Sequence, residues 1–211
     1  GLYPLAKIVA DFESFREGAL WVQRHLEIIE KLSAFYLDSF VQGRWISNFW
    51  LYSEKLKEFG NWLEQLWAES LGKDNSAEKR VSTPFSCIGT NDQHSLLEQM
   101  EEGFPDKSQL FLHLNASTGC TYKKNWIHDQ AQFLTDYQLE DILVKYCHAT
   151  YNSLDKHPRA LMSLKDNSAA VLFALHLTLA LTIGVIGKNL DIEIYGQAGV
   201  EKSKELFRQL L

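Results

Sequence analysis

An α/β fold on a parallel sheet is what this sequence predicts, and three observations predict it. Strand-like runs alternate with segments of helical periodicity, the order that strand-helix-strand crossovers impose. The run at 109–114 reads as a strand buried within a sheet. The 211 residues, 45% hydrophobic with only four prolines, suffice for one good core, so a single globular domain is expected.

Helical periodicity runs over 15–41 and again over 53–71, where Leu56, Phe59, Trp62, Leu63, Leu66 and Trp67 make an apolar stripe. Between them 45–52 reads as a strand. Residues 74–81 form a polar, charged loop, and 91–102 a short helix ended by Gly103 and Pro105. After the buried strand come a mostly irregular stretch to 135, a helix over 136–153, a short strand at 160–164 and a buried helix over 168–186. An amphipathic helix over 200–211 closes the chain, with Val200, Leu206, Phe207, Leu210 and Leu211 as its buried face. These alternations imply a doubly wound sheet, in which ligands sit at the carboxyl ends of the strands. The loop after the first strand and residues 86–94 are the expected site walls.

A formal charge of -6 without any dense Lys/Arg run argues against nucleic acid and anionic membrane as partners. Cys87, Cys120 and Cys147 are odd in number and lack metal-ligand spacing, so neither a disulfide framework nor a zinc site is expected, and a reducing cytoplasm fits. The apolar run 169–187 approaches membrane-spanning length, but His176, Thr178 and Thr182 interrupt it, favouring a core helix. No signal peptide opens the chain. It starts at Gly1 without Met, so a fragment is expected.

Three stretches hold groups suited to proton transfer on a small polar ligand. In Gln65-Leu66-Trp67-Ala68-Glu69-Ser70-Leu71-Gly72-Lys73, Gln65 and Glu69 leave one helix face a turn apart. Glu69 falls beside Trp62 at the stripe edge, where an indole would exclude water and raise the carboxyl pKa toward a general base's range. The plainer alternative is a solvated flank carboxylate. In Thr90-Asn91-Asp92-Gln93-His94-Ser95, the capping-box spacing starts a helix with His94 in its first turn, where the helix end disfavours imidazolium. A histidine that only packs or caps is the alternative. In Tyr195-Gly196-Gln197-Ala198-Gly199-Val200-Glu201-Lys202-Ser203-Lys204, Lys204 sits on the rim of the terminal helix's apolar face, able to reach a sugar oxygen or to snorkel. Residues 115–121 carry hydroxyls and a glycine but no Walker pattern, so they read as an ordinary polar loop.

In order and internal spacing the three stretches resemble the signature series of the phosphoglucose isomerase (glucose-6-phosphate isomerase) family: Gln-x-x-x-Glu-Ser-x-Gly-Lys, Thr-Asp/Asn-x-Gln-His-Ser and Phe/Tyr-x-Gln-x-Gly-Val-Glu-x-x-Lys. Gly1-Leu2-Tyr3-Pro4 also looks like the segment after the family's Gly-Gly-Arg motif, so the resemblance covers essentially the whole chain. It implies a three-layer parallel-sheet sandwich of the sugar-isomerase (SIS) type, with 1–211 as the C-terminal sugar-isomerase domain and the N-terminal one absent from this chain. By matching position, Glu69 is implied as the base that moves a proton between C2 and C1 through a cis-enediol. His94 and Lys204 are implied in opening the pyranose ring, and Gln65 and Gln197 in binding the sugar phosphate.

The family's histidine comes from the neighbouring subunit, so a homodimer is implied, with no metal or cofactor. Leu71 stands where the family has Asn, Gly196 where it has Asp and Glu193 where it has Asn. The family's phosphate loop and its arginine for the enediolate would precede Gly1, so this chain holds half an active site and is expected to be inactive alone. Conversion of glucose 6-phosphate to fructose 6-phosphate, a step of glycolysis, is the implied reaction. A non-catalytic sugar-phosphate sensor and a pure dimerisation domain are the alternatives. Retention of Glu69, which a sensor would not need, favours the enzyme.

Overall fold

Four strands, β1 (Ile46–Tyr52), β2 (Thr83–Ile88), β3 (Lys107–Leu114) and β4 (Arg159–Leu164), pair all in parallel in the order β2-β1-β3-β4. This is a computed structural model, and it describes residues 12–73, 82–115, 119–121, 128–196 and 198–211. The central pair is buried almost end to end, six of seven residues in β1 and all eight in β3. That is the condition of parallel strands covered on both faces.

Side chains alternate between two layers. Phe49, Leu51, Leu110 and Leu112 face one side, with α2 (Leu26–Val41), α3 (Lys57–Leu71) and α6 (Ala169–Asn189). Trp50, Tyr52 and Phe111 face the other, with α4 (Leu97–Glu102) and α5 (Leu139–Ser153). This three-layer α/β/α arrangement matches the predicted class. Within the sheet, Asn48 Nδ2 and Trp50 Nε1 both donate to Gln109 Oε1, at 2.7 and 3.1 Å.

The helix expected over 15–41 is two, α1 (Phe12–Arg24) and α2, because His25 breaks from helical geometry. Its Nδ1 lies 2.7 Å from Trp21 O, and its ring stacks on Trp21 with centroids 4.2 Å apart. The strand β2 had no strand-like signature, since Pro84 interrupts it. Proline is tolerated on the outer side of an edge strand, where no ladder hydrogen bond is needed. The remaining outward N–H groups of that edge are covered by carboxylates, Ser86 N by Glu64 and Ile88 N by Asp92.

α6 is long and apolar enough to cross a membrane by length and composition alone. One flank of it, including Leu175, Leu179, Ile183 and Ile186, is buried in the main core. The polar loop expected over 74–81 lies outside the described residues.

Candidate active site

α3 leaves the carboxyl end of β1 and runs back to the amino edge of the sheet. A Cβ on Gly60, in its first turn, would meet a Leu51 methyl at 2.4 Å, close to the strand ends. Two turns later, Trp67 Nε1 donates to Ser82 Oγ at 2.9 Å, and Ser82 Oγ lies 2.9 Å from Ser47 Oγ at the foot of β1 and β2. Glu69 therefore stands at the amino edge. It is exposed, and Gln65 Nε2 donates to its Oε1 at 2.9 Å. The indole expected to shield it, Trp62, is instead stacked on His176 of α6 with centroids 3.8 Å apart. The expected desolvation of Glu69 is thus absent, because the aromatic ring is drawn into the seam between the two helices.

Lys73 follows α3 and reaches across the chain, its Nζ donating to Glu193 O at 2.9 Å and Tyr195 O at 2.8 Å. The end of α6 seats the same segment: a Cβ on Gly187 would come within 2.2 Å of Ile194 Cγ2 and 3.6 Å of Leu71 Cδ2. The first and third motifs, some 120 residues apart, meet here. Gln197 lies outside the described residues.

Lys204 does not occupy a rim. Residues 199–211 of the last helix, α7 (Ala198–Leu210), and its end are all exposed, Val200, Leu206, Phe207, Leu210 and Leu211 included. Lys204 Nζ pairs with Glu201 Oε1 at 2.6 Å, a solvated i,i+3 pair that contributes little to stability. Sequence periodicity found an apolar stripe, and the described residues offer no surface against it.

His94 occupies the opposite edge, exposed in the turn after β2. The expected capping box does not form. Thr90 makes no cap bond, a short 3-10 turn covers Asn91–Gln93, and α4 begins only at Leu97. Gln93 instead donates to Thr150 Oγ1 of α5. So the imidazole does not sit at the start of an α-helix. A seven-residue strand at about 3.3 Å per residue separates the two edges by roughly 20 Å. One chain brings Gln65, Glu69, Lys73 and 193–196 together at one edge and sets His94 at the other. Of the expected walls at the carboxyl ends, only the 86–94 segment carries a motif.

Other reactive groups lie apart from these. Burial pushes the Cys147 thiol up to about 12 and the Cys87 thiol higher still, leaving both poor nucleophiles. A largely apolar cavity of about 620 Å3 between α1, α6 and β4, lined by Trp21, Leu161 and Val171 among others, holds none of the candidate residues.

No family model matches the chain. A glucose-6-phosphate isomerase of Rubrobacter xylanophilus is 30% identical to it, across 98% of this chain and 49% of the relative. One of Methanocaldococcus jannaschii is 28% identical, across the whole chain and 53% of the relative. The chain is a relative of the glucose-6-phosphate isomerases. It spans about half the length of the curated relatives it matches. Among solved structures, a hypothetical protein of Thermus thermophilus superposes with TM-score 0.86 at 26% identity, over 99% of this chain and 52% of that one. A glucose-6-phosphate isomerase of Chlamydia trachomatis shares the fold, with TM-score 0.76 at 21% identity over 93% of this chain and 42% of its own. The sheet and its flanking helices are thus of the sugar-isomerase type.

The departures from the glucose-6-phosphate isomerase motifs have local explanations. Leu71, in place of Asn, is buried in the main core. Glu193, in place of Asn, accepts from Tyr195 N through Oε1 at 3.0 Å, a bond an Asn carbonyl can also accept. Gly196, in place of Asp, has φ of 79°, the left-handed region that glycine enters without a steric cost. Lys73 was in the sequence motif without an assigned role, and Thr150 had no sequence signal.

Proposed function

We propose that residues 1–211 are the C-terminal sugar-isomerase domain of a glucose-6-phosphate isomerase, which acts in the cytoplasm as a homodimer and whose N-terminal sugar-isomerase domain lies outside this chain. The observation that carries this reading is the placement of Glu69 and His94 at opposite edges of one sheet, with Lys73 tying the third motif beside Glu69. A site that needs both groups is completed by the His94 edge of a second copy.

In that site Gln65 and Gln197 hold the sugar phosphate. His94 of the second copy and Lys204 move the proton that passes from the C1 hydroxyl to the ring oxygen, which opens the pyranose. Glu69 then removes the C2 proton of the open chain and returns it to C1, while a proton shifts between O1 and O2 through the cis-enediol. Carboxylate proton transfer of this kind needs no metal. Water exclusion from Glu69, which is exposed among the described residues, falls to the substrate and the rest of the protein. The chain alone has length and apolar content enough for its own core and is expected to melt cooperatively, but to convert no glucose 6-phosphate, because enediolate stabilisation and most phosphate contacts come from the other half of the protein.

The test is Glu69→Gln in the full-length protein. Loss of a general base is expected to lower turnover about a hundredfold or more while folding and ligand binding persist. Turnover within about twofold of the unmodified enzyme would remove Glu69 from the mechanism.

A further inference from the structure

Thr150 and Tyr52 form a support for the turn that carries His94, and neither belongs to a motif. Thr150, 3% exposed on α5, uses the full capacity of its hydroxyl. Oγ1 accepts from Tyr52 OH at 2.7 Å and from Gln93 Nε2, and donates to Tyr146 O at 3.1 Å. A hydroxyl has one donor and two lone pairs, so all three are engaged. Gln93 is the residue before His94.

The Tyr52 ring lies directly under the same turn, where a Cβ on Gly89 would come within 2.4 to 2.6 Å of three ring atoms. Asp92 fixes the turn from within, accepting from Ile88 N at 2.6 Å and from Ser95 Oγ at 3.2 Å. The Gln93–Thr150 bond is the side-chain hydrogen bond that joins residues 89–96 to α5 among the described residues. Burial raises the Tyr52 phenol well above its ordinary value, so it remains a donor.

We propose that Thr150 is the positioning residue for His94: it locks the 89–96 turn to α5 and the end of β1, so that the imidazole is presented to its substrate in one orientation. This rests on the proposed role of His94. A displacement of about 1 Å of a reacting group is enough to lower a rate by up to about a hundredfold.

Two readouts test it. In the chain itself, hydrogen exchange of amides 89–96 is expected to quicken at least tenfold in Thr150→Val and to stay near the unmodified rate in Thr150→Ser, which keeps the hydroxyl. In the full-length enzyme, Thr150→Val is expected to lower kcat about tenfold with KM within twofold, and to have under a twofold effect when His94 is already alanine. Should Thr150→Val unfold the protein, Tyr52→Phe replaces it, with a smaller loss that likewise vanishes in the His94→Ala background. Unchanged exchange in Thr150→Val, or an equal loss of kcat with and without His94, overturns the proposal. If His94→Ala alone leaves turnover intact, the functional reading fails instead, and the exchange measurement still decides whether Thr150 holds the turn.

Discussion

Replacing Lys73 by Met isolates the link between the first and third motifs, since Met keeps an apolar stem of similar length and removes only the ammonium. Two bonds are lost, at 2.9 Å to Glu193 O and 2.8 Å to Tyr195 O. A hydrogen bond from a charged group contributes about 1.5 to 3 kcal/mol when enclosed. Lys73 is half-buried, so about 1 kcal/mol for each bond is the appropriate scale, and about 2 kcal/mol for the pair. That corresponds to a roughly 30-fold larger population of the detached segment. The Ile192 N to Gly187 O bond at 2.9 Å and the seating of Ile194 on Gly187 remain, so the opening is local rather than global. Hydrogen exchange read by mass spectrometry is expected to show amides 193–196 exchanging about 30-fold faster, while amide 192 and the strand amides keep their protection. Exchange within about threefold of the unmodified chain would refute the claim that Lys73 holds this segment at the amino edge.

Gly187→Ala places a methyl within 2.2 Å of Ile194 Cγ2. Overpacking of this kind costs about 1 to 3 kcal/mol, expected as a lower urea midpoint with an unchanged slope. His113, buried at the end of β3, has its pKa held below the ordinary 6.5 by desolvation and by His148. The unfolded chain therefore binds a proton first as pH falls, so this contribution to stability is complete above about 6.5 and is lost below it, through the lowered folded value. His113→Phe is expected to shrink the loss of urea midpoint between pH 7.5 and 5.5, and an undiminished loss would show that His113 does not carry it.

The sheet core was legible because β1 and β3 are covered on both faces and their composition says so, whereas β2 was not, because an edge strand tolerates Pro84 and leans on Glu64 and Asp92 for its outward N–H groups. Helix periodicity located α3 and α6 but could not show that Trp62 turns to His176 rather than to Glu69, a choice made by two helices distant in sequence. The motifs gave Glu69, His94 and Lys204 as candidates. The placement of Glu69 and His94 at opposite edges follows from the crossover connection, in which α3 returns from the carboxyl end of β1 to the start of β2 and His94 follows the far end of β2. The Gln93–Thr150 bond joins residues 57 apart and has no local signature. For the last helix, the face expected to be buried is exposed, because amphipathicity reports a face and not its cover.

A site shared between two copies is tested most directly by mixed dimers of the full-length protein. Glu69→Gln and His94→Ala are each expected to keep only a small residual activity as homodimers, and a heterodimer of the two should regain about half of the unmodified activity, because one of its two symmetric sites then holds both intact residues. A verified heterodimer with no activity above the two parents would contradict the account, placing Glu69 and His94 in one chain's site or removing His94 from the chemistry.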